Sequence, residues 1–151
     1  MKYAHTNIVS KDWKKLTDFY IKVFDCKPVP PERDLSGDWL GKATSIKNPH
    51  LRGMHLRLPG YGDEGPTLEV FQYDEMLEKA PFPAANRIGL GHLAFEVPDV
   101  LVTLTKLLEN GGKKLGEVVS RKITGVGIIV FTYAADPEGN VIEIQSWNKF
   151  E

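Results

Sequence analysis

The chain has 151 residues, 19 of them basic and 20 acidic, with 42% hydrophobic residues and one cysteine. That length suits a single domain, 1–151, with a sizeable core. The interspersed charges leave no basic patch for nucleic acid or a membrane surface, and apolar runs such as "VGIIVF" are too short to span a bilayer. The lone Cys26 excludes an internal disulfide, and the start of the chain lacks a secretory signal, so a cytoplasmic location is expected.

In chain order, the pattern predicts a strand over 3–9 and a helix over 12–24 capped by Asp12 or Ser10. Trp13, Leu16, Tyr20, Val23 and Phe24 recur at helical spacing and form one apolar stripe. A second strand is expected to begin near Lys27, and Pro28, Pro30 and Pro31 to break it, leaving 31–50 a polar loop with one short turn. Strands over 54–58 and 67–73, joined through a Gly/Pro cluster, close the first module, 1–73. Residues 74–89, with Pro81 and Pro83, read as a linker. The second module, 90–148, repeats the order. A strand spans 91–97 and a helix 99–110, with Val100, Leu101, Leu104, Leu107 and Leu108 on one face and Gly111 and Gly112 as its stop. Strands are expected near 114–120, 127–134 and 140–147, the last two joined by the turn "DPEGN". Each module reads strand, helix, three strands, an α+β pattern that needs a partner to cover its sheet.

Both modules place metal-ligand residue types at matching points. His5 opens "HTNIVSKD" and His92 opens "HLAFEVPD", with Asp12 and Asp99 following at the same interval. Glu69 is central in "TLEVFQY" and Glu143 in "NVIEIQSW". Strand side chains alternate faces, so Ile8, Leu68, Val70, Phe95, Ile142 and Ile144 turn to the helix. His5, Glu69, His92 and Glu143 fall on the opposite face and can converge in one cavity. Two imidazoles and two carboxylates without a thiolate suit Ni, Co, Zn, Mn or Fe(II).

At these residues the chain resembles the vicinal oxygen chelate superfamily, which includes glyoxalase I, bleomycin-resistance proteins and dioxygenases. The segments "HTNIVSKDWKKLTDFYIKVF", "GHLAFEV", "ENGGKK" and "FTYAADPEGNVIEIQ" carry the likeness. The resemblance implies two βαβββ modules pairing into an eight-stranded open cup, with a divalent metal held by His5, Glu69, His92 and Glu143. It is nearest to glyoxalase I, where the set is His, Glu, His, Glu. It implies a lyase or isomerase in which an enediolate is stabilised on the ion, while Glu143 or Glu69 moves the proton as base and then acid. Glu69 either ligates the ion or lines the cavity. Alternatives are a methylmalonyl-CoA type epimerase, an Fe(II) ring-cleaving dioxygenase and a metal-free binding protein. A small-molecule substrate and a homodimer are expected. Val9 stands where glutathione-dependent members carry Arg, which weakens the case for glutathione.

Other expectations concern the surroundings. More residues separate His5 from Glu69 than His92 from Glu143. Lys47, His50, Arg52 and Arg57 in the enlarged region either meet an anionic substrate or are solvated charges. "SRKITGVG" forms either a cover over the cup or a plain hairpin. Asn7, Phe71, Tyr73 and Trp147 share the ligand face, His55 is read as a surface residue, and Cys26 as buried and chemically idle.

Overall fold

A computed structural model describes residues 1–79 and 82–149. The chain divides into two compact units, Met1–Lys79 and Ala80–Glu151. The boundary falls in the stretch expected to link the modules; Pro81 lies outside the described residues. No described helix is long and apolar enough to cross a membrane.

The first unit runs β1 (His5–Val9), α1 (Trp13–Phe24), β2 (Lys27–Ser36), α2 (Asp38–Thr44), β3 (His50–Arg57) and β4 (Thr67–Tyr73). Its sheet has the order β1-β4-β3-β2, with β1 parallel to β4 and the other pairs antiparallel. Helix α1 starts where both expected caps act in sequence. The Asp12 carboxylate accepts from the Lys15 N–H at 3.0 Å, while the Asp12 N–H donates to Ser10 Oγ at 3.1 Å. Asp25 ends the helix in the left-handed conformation. The whole predicted stripe is buried, together with Phe19, and packs on β3 and β4. Each such side chain contributes roughly 1.5–3 kcal/mol when fully buried. Leu56, Leu68 and Val70 supply the sheet side of this core.

The proline-rich segment departs from expectation. Instead of ending, β2 continues to Ser36, with its register against β3 shifting between Val29 and Arg33. It is an edge strand, so a residue without an N–H costs the sheet no ladder bond on its open side. The expected turn is the two-turn helix α2, whose Leu40 is buried.

The second unit runs β5 (Leu93–Glu96), α3 (Val100–Glu109), β6 (Lys113–Lys114), β7 (Val119–Ile123), β8 (Gly127–Ala135) and β9 (Val141–Lys149). Its sheet has the order β5-β9-β8-β6, with β7 also pairing β8 and β5 parallel to β9. The single strand expected near 114–120 is thus two pieces along one edge of β8. The break lies where the N–H groups of Leu115 and Gly116 both donate to the Tyr133 carbonyl. Asp99 caps α3 through the Val102 N–H at 3.0 Å. Val100, Leu104 and Leu107 are buried, whereas Leu101 and Leu108 are exposed, so the stripe is narrower than predicted. The turn between β8 and β9 is built on fully buried Asp136. Its Oδ1 accepts from the N–H groups of Glu138 and Asn140 at 2.9 Å each, and Gly139 takes a positive φ of 80°. Segment 120–127 forms a plain hairpin, closed by the Val126 N–H on the Ile123 carbonyl.

Two substitutions test this packing. A side chain at Gly53 would run into the Val70 carbonyl oxygen and the Phe71 ring, because β3 and β4 approach closely there. Gly53→Ala is expected to lower stability by about 1–3 kcal/mol. Thr17 Oγ1 is buried with no hydrogen-bond partner. Thr17→Val keeps the shape and removes the stranded hydroxyl, and is expected to raise stability by about 1 kcal/mol. Urea midpoints of the two variants check both signs.

Candidate functional site

In the first unit, buried Leu68 and Val70 pin β4 against α1 and turn Glu69 to the sheet's other face. Asn7 lies beside Glu69 on β1, and His5 is two residues earlier on the same face. His5 Nδ1 comes within 3.3 Å of Glu69 Oε1. On the other side β3 places His55 directly opposite Glu69, its Nε2 also 3.3 Å from Oε1. Glu69 is therefore buried, at 7% exposure, yet flanked by imidazoles. His55 is not the surface residue the strand pattern suggested: it is three-quarters buried against Phe71, with ring centroids 5.6 Å apart. Burial holds the His55 imidazole below its ordinary value. Glu69 pulls it upward, while Arg33 and His5 add to the lowering.

The second unit repeats the arrangement. Ile142 and Ile144 are fully buried and Glu143 points away between them. Ala94 lies beside Glu143, and His92 precedes Ala94 by two. His92 Nε2 is 3.0 Å from Glu143 Oε2. Directly opposite Glu143 on β8 stands Tyr133, which hydrogen-bonds the carboxylate and packs edge-on to His92 with centroids 5.2 Å apart. Burial first, then Glu143, holds the Tyr133 phenol above its ordinary value.

The four predicted residues thus form two pairs, His5 with Glu69 and His92 with Glu143, at equivalent register positions. Their cross-strand neighbours, His55 and Tyr133, escaped sequence reasoning. Tyr133 was within reach, since a turn at 136–140 sets 135 against 141 and hence 133 against 143. No such short turn sets the register of His55. Among the described residues, no group of three or more His, Cys, Asp or Glu side chains is arranged to hold a metal ion. Cys26 is 1% exposed, and burial with Asp25 beside it pushes its thiol up to about 12, so it stays protonated.

The model of the Glyoxalase/Bleomycin resistance protein/Dioxygenase superfamily matches residues 2–144, and the chain belongs to that superfamily. Among solved structures, a glyoxalase family protein from Bacillus cereus aligns with TM-score 0.76 at 17% identity, over 97% of this chain and 93% of the other. A glyoxalase/bleomycin resistance protein/dioxygenase family enzyme from Burkholderia phytofirmans gives 0.62 at 15% identity, over 98% and 100%. A glyoxalase-related enzyme from Fulvimarina pelagi gives 0.54 at 18%, over 97% and 88%. Identities this low establish the fold alone. No curated protein sequence matches the chain.

The cations of the enlarged region are largely taken up by neighbouring acids. Arg57 pairs with Asp63 at 2.9 Å, and Arg52 with Asp74. His50 lies between two carboxylates, with Nε2 2.7 Å from Asp34 and Nδ1 2.8 Å from Asp74. A neutral imidazole has only one N–H, so both contacts are hydrogen bonds only when His50 is protonated. The bonds to Asp34 and Asp74 hold the His50 imidazole above its ordinary value of 6.5. The bond to His50 holds Asp74 below its ordinary 3.8. The raised His50 value adds stability that is complete below about pH 6.5 and lost as pH rises through the folded value; the lowered Asp74 value adds stability present above about pH 3.8 and lost on acidification. His50→Gln should therefore cost most near pH 5.5 and much less at pH 8.5, as read from urea midpoints of variant and parent at both pH values.

Proposed function

We propose that this protein is a metal-dependent lyase or isomerase of the glyoxalase I kind, moving a proton between adjacent carbons of a small oxygen-chelating substrate. The observation that carries this reading is the duplicated pair. Two donors bound to one ion at roughly 2.1 Å, and at angles between octahedral and tetrahedral, lie about 3.0–3.4 Å apart. The His5–Glu69 and His92–Glu143 separations of 3.3 and 3.0 Å each match one edge of such a polyhedron. Each pair offers one nitrogen and one oxygen donor and no thiolate, donor types that suit Ni, Co or Zn and also Mn or Fe.

When bound, the ion supplies positive charge to adjacent substrate oxygens and acidifies the C–H next to them. The residues of the chain do the rest. His5 on the edge strand β1 and His92, immediately before the edge strand β5, stand beside the glutamates. One carboxylate, Glu143 or Glu69, takes the proton from carbon and returns it to the neighbouring carbon. The apolar rows on either side of each glutamate hold its strand in register, so the base does not drift during transfer.

Presence of Glu69 beside His5 favours proton transfer over ring cleavage, for which two histidines and one carboxylate suffice. Val9 is 52% exposed and offers no cation where glutathione-dependent relatives carry one. It favours a second reading, epimerisation of an acyl thioester by the same carboxylates.

Purified protein should retain one equivalent of divalent metal by elemental analysis, and turn over the methylglyoxal–glutathione hemithioacetal with added Ni2+, Co2+ or Zn2+. Glu143→Gln and Glu69→Gln should each lower kcat, the proton-transferring one by roughly 10²–10⁴-fold. Metal retention without that turnover moves the substrate to an acyl thioester. Failure to bind any of these metals, with His5→Ala and Glu143→Ala behaving like the parent, sinks the reading.

A further inference from the structure

The duplicated halves diverge at one place that touches both glutamates. Opposite Glu143 stands a phenol, and opposite Glu69 stands an imidazole. A phenol offers one O–H to its carboxylate with no choice of site. An imidazole carries its proton on either nitrogen, and only one choice serves Glu69.

The first unit makes that choice through Arg33. Its Nη2 lies 3.4 Å from His55 Nδ1, on the far side of the ring from Glu69. A guanidinium has donors and no acceptor, so Nδ1 must present its lone pair there. The proton is then on Nε2, facing Glu69 Oε1 at 3.3 Å. Both supports come from the strand frame: Arg33 resumes the β2–β3 ladder after the register shift, paired with Gly53, and His55 is two residues further along β3. Phe71, lying over Gly53, closes on the imidazole and holds its plane. Arg33, His55 and Glu69 thus form a chain across β2, β3 and β4.

We propose that His55, held in its Nε2–H tautomer by Arg33, is the positioning residue for Glu69. The consequence for metal rests on the reading above. A ligand histidine gives its lone pair to the ion and no longer donates from that nitrogen to a carboxylate. His55, with Nε2 3.3 Å from Glu69 Oε1, is then the neighbour that keeps the carboxylate aimed. Such supporting contacts orient ligands and raise their affinity for the ion.

The first measurement needs neither metal nor turnover. Nitrogen–proton correlation spectra of the metal-free protein near neutral pH, with His55 assigned by its loss in His55→Gln, should give Nε2–H. Arg33→Met should shift His55 toward a mixture of tautomers. Calorimetry with Ni2+ follows. His55→Ala should weaken binding by roughly 10–100-fold, and His55→Gln, whose amide N–H replaces Nε2–H, should restore it to within several-fold. An Nδ1–H tautomer in the parent overturns the proposal. So does parent-like Ni2+ binding by His55→Ala while Glu69→Ala binds poorly, or a His55→Gln no better than His55→Ala. If the parent binds no Ni2+, the metal reading fails, and the tautomer alone decides: Nε2–H upholds the positioning of Glu69 and Nδ1–H overturns it.

Discussion

Each sheet is backed by one helix, and the two-residue period of its strands makes every other feature follow from that. Leu68 and Val70 are 1% and 0% exposed against α1. A slip of one residue would turn the Glu69 carboxylate into the apolar layer against α1 and take both aliphatic side chains out of it, so hydrophobic packing selects the register. The same constraint holds Glu143 between Ile142 and Ile144. The polar groups owe their placement to the apolar residues on either side of them. The aim of these side chains, in such an arrangement, is a by-product of core packing.

Repetition then does the rest. Because β1 and β5 are both parallel edge partners, a histidine two residues before the glutamate's neighbour reaches it in both units. The units differ where a duplicated scaffold has freedom to differ. Their outer strands are one long shifted strand in the first and two short pieces in the second. Opposite the glutamates they carry different hydrogen-bonding chemistry. Two carboxylates at equivalent register positions thereby stand in different surroundings.

Much of this was legible in the sequence. Helix α1 announced its cap and stripe, and "DPEGN" its turn, because those features depend on neighbouring residues. The outward faces of His5, Glu69, His92 and Glu143 were legible because alternation is a local property too. What failed depended on distant partners. Pro28, Pro30 and Pro31 read as the end of a strand until β2 is seen to be an edge. His55 read as a surface residue because its cover, Phe71, and its partners, Glu69 and Arg33, are brought in by β4 and β2. Leu101 and Leu108 fitted the periodicity of α3, yet its buried face is only as wide as Val100, Leu104 and Leu107. Membership of the superfamily was carried by motifs spread along the chain. His5, Glu69, His92 and Glu143 stood out only as a repeated pattern, since a single His or Glu on a strand has no distinguishing neighbourhood.

The prolines of β2 have a further consequence. An open sheet edge presents a row of donors and acceptors that any extended segment can pair with, and edge-to-edge association begins there. Three residues without an N–H and the register shift between Val29 and Arg33 break the regularity of β2, the sheet's edge strand. The opposite edge, β1, has no proline among His5–Val9. The first unit's sheet is thus guarded against stray strand addition along β2, and β1 carries no such guard of its own.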